Sequence, residues 1–354
     1  MSCRVVFTSD FHLGKLYRFW PNHLERQYKA LRQPFCYALA NGIRNVILGG
    51  DISEDPFLSG PALTILFRLL NEFDGRLNIH IILGNHDFAD TSENSLQPLI
   101  ELCRKGILDG KKVRGKYSTV HVYDKPTHVV IDGVNFNMLP FPYGSADKKY
   151  KGVSVNVAHL EWEGAVRDNG KSKIRGGYNT TQEGDFWLIG HLHTKQYLKR
   201  PRVLYCGTPY QTNFGENADK SFCDCTFRMV KGELKAKFDF VPSKPGFELR
   251  NVTINSRKDL AKLVKSPDIQ YKLRVVEGVE IPRDLQLEYT NIRGISGLDD
   301  LAGISDEGEF TMQHASQHQV SLTSGLREFM KKEGLNKVQR KRALSIVHEL
   351  TGTT

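Results

Sequence analysis

Five short segments carry the side chains best suited to chemistry: Asp10-Phe11-His12, Gly50-Asp51, Gly84-Asn85-His86-Asp87, His159 and Gly190-His191-Leu192-His193. Together they offer carboxylate, amide-oxygen and imidazole donors, a mixture suited to manganese, iron or zinc more than to calcium. No cysteine belongs to the set, which argues against a structural zinc site. Ligands one residue apart, as in Asp10/His12 and His191/His193, can share one ion from an extended segment or be aimed at neighbouring ions by a turn. A carboxylate such as Asp51 could bridge two ions ~3.5–4 Å apart, the usual separation in two-metal hydrolases. Taken singly, each segment has an ordinary explanation: Asp-x-His and Gly-Asn-His-Asp suit solvated turns, and a lone histidine suits a hydrogen-bonded core. In series, each behind an apolar run, they describe a dinuclear centre built on loops.

The elements that must position these residues are legible as apolar runs at 4–9, 45–49, 79–84, 135–139, 153–159, 186–190 and 203–207, which read as buried strands. Helical spacing separates the early ones, with Leu24, Tyr28, Leu31, Phe35 and Leu39 on one face and Leu63, Phe67 and Leu70 on another. Strands alternating with helices imply an α/β layered domain. The carboxyl ends of strands in such a sheet open on a common crevice, so distant ligands can converge there. Pro34 lies inside the first helical pattern, where it removes a donor and crowds the preceding turn; the expectation is a kink or two helices.

Residues 221–240 read as two adjacent strands, and the composition shifts after Pro242-Ser243-Lys244-Pro245-Gly246. Domains are therefore expected at 1–241 and 247–312. The second is a small α+β unit with strands at 248–254, 269–276 and 286–289 and one helix near 258–264. A helical tail follows over 313–354, in which Arg327, Lys331, Lys332, Lys337, Arg340, Lys341 and Arg342 interleave with apolar residues. Such an amphipathic segment can dock on a partner or pack on its own domain.

The 354 residues include 49 Lys and Arg against 40 Asp and Glu, a formal charge of +9, with 40% hydrophobic and 25% charged residues. This balance excludes a largely disordered, collagenous or disulfide-scaffold chain. No run approaches the ~18 apolar residues of a membrane span, and Met1-Ser2-Cys3-Arg4 leads into a strand rather than a signal sequence. The expectation is a soluble, cytoplasmic protein without a membrane partner. The six cysteines follow no regular framework and read as reduced thiols. Excess positive charge is compatible with nucleic acid without requiring it.

The segments Thr8-Ser9-Asp10-Phe11-His12-Leu13-Gly14, Gly49-Gly50-Asp51, Gly84-Asn85-His86-Asp87, Ala158-His159-Leu160 and Gly190-His191-Leu192-His193 resemble the calcineurin-like metallophosphoesterase superfamily. With Tyr205-Cys206-Gly207-Thr208-Pro209 and Phe214-Gly215-Glu216 they resemble, more narrowly, the SbcD nucleases, bacterial and phage relatives of the meiotic recombination nuclease. The resemblance covers roughly residues 4–216. It implies a metallophosphoesterase-type layered β-sandwich flanked by helices, with a small α+β capping domain and a helical C-terminal tail.

Carried over by position, the resemblance puts one metal on Asp10, His12, Asp51 and His193 and a second on Asp51, Asn85, His159 and His191. His86 matches a histidine used near the scissile phosphate and not as a ligand. An imidazole can be cationic near a phosphodiester and surrender a proton to the leaving oxygen. Glu54 stands where many relatives carry aspartate and could orient His86, while Glu161-Trp162-Glu163 replaces the small or hydroxyl residues common after His159.

The implied activity is that of a manganese-dependent DNA nuclease subunit, a 3′-to-5′ exonuclease and single-strand endonuclease in DNA end processing, recombination, repair or replication. The implied partners are DNA, a second copy in a homodimer and an SbcC-type coiled-coil ATPase docked on the tail, in a bacterium or in the host of a phage. Basic loops offer phosphate contacts at Lys111, Lys112, Arg114 and Lys116, at Lys148, Lys149 and Lys151, and at Lys199, Arg200 and Arg202. Lys171, Lys173 and Arg175, between two ligand segments, are the first choice, with Tyr143 or Tyr178 as stacking residues. Two other readings are a metallophosphoesterase acting on nucleotides or phosphoproteins, since the ligand set is shared widely, and a DNA-end-binding scaffold without activity.

Overall fold

The computed structural model describes residues 2–297, apart from 18–19, 90–92, 104–105, 109–110, 114–116, 169, 171, 180–184 and 283–284. The described residues fall within one compact unit, Met1–Leu298. The expected tail helices at 313–354 lie outside the described residues.

In chain order the strands are β1 (Ser2–Thr8), β2 (Asn45–Gly49), β3 (Asn78–Ile82), β4 (Gly106–Leu108), β5 (Lys111–Val113), β6 (Val120–Tyr123), β7 (Thr127–Ile131), β8 (Val134–Leu139) and β9 (Val155–His159). They continue as β10 (Phe186–Gly190), β11 (Gln196–Leu198), β12 (Val203–Tyr205), β13 (Ser221–Val230), β14 (Glu233–Pro242), β15 (Glu248–Ile254), β16 (Ile269–Val275) and β17 (Ile292–Gly297). The helices are α1 (His23–Ala40), α2 (Gly60–Phe73), α3 (Gln97–Cys103), α4 (Arg257–Leu260) and α5 (Leu285–Glu288).

Two six-stranded sheets, ordered β14-β13-β1-β2-β3-β6 and β11-β12-β10-β9-β8-β7, pack face to face. Each has four parallel strands at its heart, β1-β2-β3-β6 in one and β12-β10-β9-β8 in the other. Phe7, Ile47 and Ile82 of the first sheet meet Phe136, Val157 and Leu188 of the second in a shared apolar layer. The other face of the first sheet is covered by α1 and α2, whose Leu31, Phe35, Leu66 and Leu70 are buried. Strands covered on both faces have no polar face to present, which is why 45–49 and 186–190 read as unbroken apolar runs. The architecture is the layered α/β sandwich expected from the sequence.

Helix α1 runs unbroken from His23 to Ala40 with Pro34 inside it, so the break into two helices does not occur. Burial of Leu31, Phe35 and Ala38 on the sheet outweighs the ~3 kcal/mol a proline costs in a helix interior. The segment expected as a strand at 286–289 falls instead on the short helix α5. Leu285 and Tyr289 share a helical face there, joined by the Tyr289 N–H to Leu285 carbonyl bond at 2.8 Å, and four residues are too few for period two to be told from period 3.6. No disulfide joins the six cysteines.

Strands β15, β16 and β17 form a parallel three-stranded sheet with its own apolar cluster around Tyr271 and Leu273. This small sheet lies in the same compact unit as the sandwich, and residues 299–312 of the expected second domain lie outside the described residues. Its contact with the sandwich is partly aromatic and partly polar. His23, at the start of α1, stacks on Trp20 at 4.6 Å and meets the edge of Phe247 at 5.1 Å, while Trp20 Nε1–H donates to the Pro267 carbonyl at 2.8 Å.

Both ring nitrogens of His23 are buried without a partner. Burial, with Arg26 adding repulsion, pushes its pKa down from 6.5 to about 3. The unfolded chain therefore takes up a proton near pH 6.5 that the folded ring refuses. Stability contributed by the neutral ring is full above that value and falls as pH drops towards about 3, by up to ~1.4 kcal/mol per pH unit. At pH 5 the loss is about 2 kcal/mol. His23→Phe is expected to remove that slope in urea titrations between pH 7 and 5; an unchanged slope would refute the assignment.

Candidate metal centre

The five ligand-bearing segments converge at the carboxyl ends of β1, β2, β3, β9 and β10. Asp10 and His12 follow β1, Asp51 follows β2, Asn85 follows β3, and His159 ends β9 beside Gly190, its register partner on β10. The turns are sharp: Asp10, His12, Asp51 and His191 all have positive φ, 57°, 41°, 50° and 99°. Non-glycine residues in the left-handed region store strain, and such strain gathers at functional sites. Glycine is obligatory at two of the crossings. A Cβ on Gly84 would lie 2.2 Å from Asp51 Oδ1, and one on Gly190 would lie 2.2 Å from the Gly49 carbonyl.

Main-chain bonds from Asp10 N–H to the Gly50 carbonyl and from His12 N–H to the Asp51 carbonyl, both 3.0 Å, tie the first two loops together. Asp87 ties the second to the third: its buried carboxylate accepts from the N–H groups of Ile52 at 3.2 Å, Ser53 at 2.9 Å and Gly84 at 2.9 Å. From the helix side, Gln27 reaches the His12 and Lys15 carbonyls and the Tyr210 hydroxyl, which itself donates to the Phe11 carbonyl. Gln27 carried a readable signal, a polar residue three positions after Leu24 and four before Leu31 on the apolar face of α1. The role of Tyr210 was not legible.

All seven expected metal ligands meet at this point. His12 Nε2 and His193 Nε2 are 3.1 Å apart, with Asp51 Oδ2 3.7 Å from the former. His159 Nε2 lies 3.2 Å from Asp51 Oδ2 and 3.0 Å from Asn85 Oδ1, and His191 Nδ1 lies 3.0 Å from the same Asn85 oxygen. Asp51 thus stands between the two groups, as a bridging carboxylate must. Asp10 Oδ1 accepts from the His191 N–H at 2.9 Å, while its Oδ2 is buried without a partner.

The donor set fits cations on proton-counting grounds. His159 Nδ1 lies 2.8 Å from the Gly49 carbonyl, which can only accept, so the ring's proton sits on Nδ1 and its Nε2 lone pair faces two oxygens. Likewise His193 Nδ1 donates to Glu216 Oε1 at 2.7 Å, which turns its Nε2 lone pair towards His12. Acceptors facing acceptors in a buried site call for positive charge between them. Without a cation the charge comes from protons. Burial opposes it, but the Asp51 carboxylate raises His159 to about 9 and Glu216 raises His193 to about 9. Burial would raise Asp51, yet His159, His12 and His86 together hold its carboxyl far below the usual range. Burial pushes Asp10 up, and burial with His159 nearby lowers His191 to about 3. Groups of three ligating atoms within 4.8 Å of one another occur at Asp10/His12/His193 and at Asp51/His159/His191.

His86 sits over the His12 edge of the cluster, ring centroids 4.9 Å apart, and a third group within 4.8 Å combines it with His12 and Asp51. Its main-chain N–H donates to Asp51 Oδ1 at 2.9 Å, and its ring Nδ1 lies 2.9 Å from the Glu54 carbonyl. The expected role of Glu54 is corrected by this geometry. Its main-chain oxygen, not its carboxylate, orients His86. The carboxylate instead lies 2.8 Å from His12 Nδ1, without the alignment of a hydrogen bond, and 2.7 Å from Lys15 Nζ. A glutamate is long enough to fold back towards His12, and the carbonyl does not depend on side-chain type.

The surrounding loops divide the basic candidates. Lys173 and Arg175 are exposed on a hairpin-like loop, joined by the Arg167 N–H to Ser172 carbonyl and Ile174 N–H to Ala165 carbonyl bonds. Asp168 fastens that loop to the ligand segment through the Thr194 N–H at 2.9 Å. Lys171, Arg114 and Lys116 lie outside the described residues, as do the side chains of Lys111 and Lys112. Lys148 is no surface contact: it is buried and pairs with Asp185. Tyr178 is 40% exposed, with its ring against Gly144, and Tyr143 lines a cavity with Lys125 and Lys149. Glu161 reaches to 3.8 Å from His191 Nε2 and pairs with Arg167.

Among the described residues no helix is long and apolar enough to cross a membrane. Exonuclease subunit 1 of Enterobacteria phage T4 is 26% identical over 230 residues, 61% of this chain and 62% of that protein's length. A crystal structure of wild-type Vps29 from Entamoeba histolytica complexed with zinc aligns with 67% of this chain and 98% of that one, at 12% identity and a TM-score of 0.26, too weak a likeness to bear on function. Residues 3–195, which carry all seven expected ligands and His86, match the calcineurin-like phosphoesterase family, and with more than half of its length in that match the chain belongs to this family of metal-dependent phosphoesterases.

Proposed function

We propose that the chain is a manganese-dependent DNA nuclease, acting as a 3′-to-5′ exonuclease and single-strand endonuclease. The observation that carries the reading is the likeness to a phage exonuclease subunit over 230 residues, in a chain that also gathers the donor cluster. Asp10, His12, Asp51 and His193 would hold one cation and Asp51, Asn85, His159 and His191 the other. Two such cations lower the pKa of a water and neutralise charge on a phosphodiester. The chain's own part is positional. Asp51 would serve both positions; its Oδ1 accepts the His86 main-chain N–H, and the Glu54 carbonyl orients the His86 ring. With its Nδ1 proton committed to that carbonyl, His86 presents Nε2 to give a proton to the leaving oxygen. Lys173 and Arg175 would steady the backbone without reading sequence.

The partner proposals are a homodimer and a coiled-coil ATPase docked on residues 313–354. Deleting residues 314–354 should abolish co-purification of the ATPase; undiminished co-purification overturns that docking site. The test of activity is metal-stripped protein given manganese, with end-labelled single- and double-stranded DNA beside a chromogenic phosphodiester. Stepwise shortening of DNA, lost in His86→Ala, supports the nuclease. Turnover of the small ester with DNA left whole would point instead to a phosphoesterase of nucleotides or phosphoproteins.

A further inference from the structure

The imidazoles of the two metal positions are not backed alike. Behind His159 stands a neutral main-chain carbonyl, that of Gly49. Behind His193 stands a carboxylate, Glu216, which no ligand pattern singles out. This carboxylate is itself immobilised. Oε1 also accepts from the Thr212 hydroxyl at 2.5 Å and Asn213 Nδ2 at 2.7 Å, and Oε2 accepts from the Thr212 N–H at 3.2 Å and from the buried Lys220 ammonium. The loop that carries it is fastened to the small sheet. Gln211 donates to the Glu216 and Leu249 carbonyls at 2.9 and 3.0 Å and accepts from the Leu249 N–H at 3.0 Å. A fully engaged, 6% exposed carboxylate cannot swing away from its histidine.

We infer that Glu216 is the positioning residue of the Asp10/His12/Asp51/His193 metal position, holding His193 with its Nε2 lone pair towards the cation and raising that ligand's basicity. This inference rests on the two-metal reading above. Carboxylate partners of metal-bound histidines commonly set metal affinity by ~10–100-fold. Asp168 is a poor substitute, because its Oδ2 is 4.0 Å from His193 Nδ1 and its Oδ1 is engaged by Thr194.

The experiment is calorimetric titration of metal-stripped, full-length protein with manganese chloride. The unaltered chain should bind two equivalents. Glu216→Gln should bind one equivalent with unchanged affinity and the other ~10–100-fold more weakly, and Asp168→Asn should behave as the parent. Glu216→Gln strands the Lys220 ammonium in a buried site, so the double variant Glu216→Gln/Lys220→Met provides a second folded form in which no buried charge is left alone. Two equivalents at parental affinity in a folded Glu216 variant, loss of both equivalents, or an equal loss in Asp168→Asn would each overturn the positioning role. A parent chain that binds no manganese would instead refute the two-metal reading beneath it.

Discussion

Asp51→Asn is expected to lower phosphodiester turnover by ~10³-fold or more, about 4 kcal/mol of transition-state stabilisation. The residue stands where both halves of the cluster need negative charge: its Oδ2 lies 3.7 Å from His12 Nε2 and 3.2 Å from His159 Nε2. An amide fills the same volume, so the loss comes from charge and from the second oxygen's ability to serve two cations. Its other oxygen takes the His86 N–H, and asparagine can keep that bond only by turning its NH₂ group towards the cations. Turnover of a chromogenic diester should fall with manganese saturating, and the bound metal should drop below two equivalents. Activity within tenfold of the parent, with two equivalents bound, would remove Asp51 from the bridging position.

The parts of this centre that sequence makes visible are those fixed by local chemistry. Strands β2 and β10 are unbroken apolar runs because both faces of each are covered. The ligands behind them stand out because Asp, Asn and His after glycine have no place in such a run. What local pattern cannot carry is side-chain direction and the return of distant chain. Nothing near Glu54 says that its carbonyl turns to His86 while its carboxylate folds back to His12 and Lys15. The antiparallel pairing of β13 with β1 brings residues more than 200 positions apart into register, and the loop before β13 thereby places Glu216 behind His193. The Phe214-Gly215-Glu216 segment was visible as a resemblance, yet its role depends on a histidine 23 positions earlier in the chain. Pro34 fails as a helix breaker for the same reason, since the packing that overrides it comes from the sheet.

His86→Ala separates proton transfer from metal holding, and its effect should depend on the leaving group. The residue is held by two bonds, both 2.9 Å: its main-chain N–H donates to Asp51 Oδ1, and its ring Nδ1 donates to the Glu54 carbonyl. A carbonyl accepts only, so Nδ1 keeps a proton whether the ring is neutral or cationic, and the proton that can move is the one on Nε2. A DNA sugar oxygen leaves as a strongly basic alkoxide and needs that proton; a nitrophenolate leaves readily without it. Loss of a positioned general acid costs ~10²–10⁴-fold. Turnover of DNA should fall by about that much, and turnover of bis(p-nitrophenyl) phosphate by about tenfold or less, with two equivalents of manganese still bound. Equal losses on the two esters would mean that His86 stabilises charge on the phosphate rather than protonating the leaving oxygen. Loss of a metal equivalent would make it a ligand, as its proximity to His12 and Asp51 allows, so the pair of substrates and the metal count together decide which of the three the ring is.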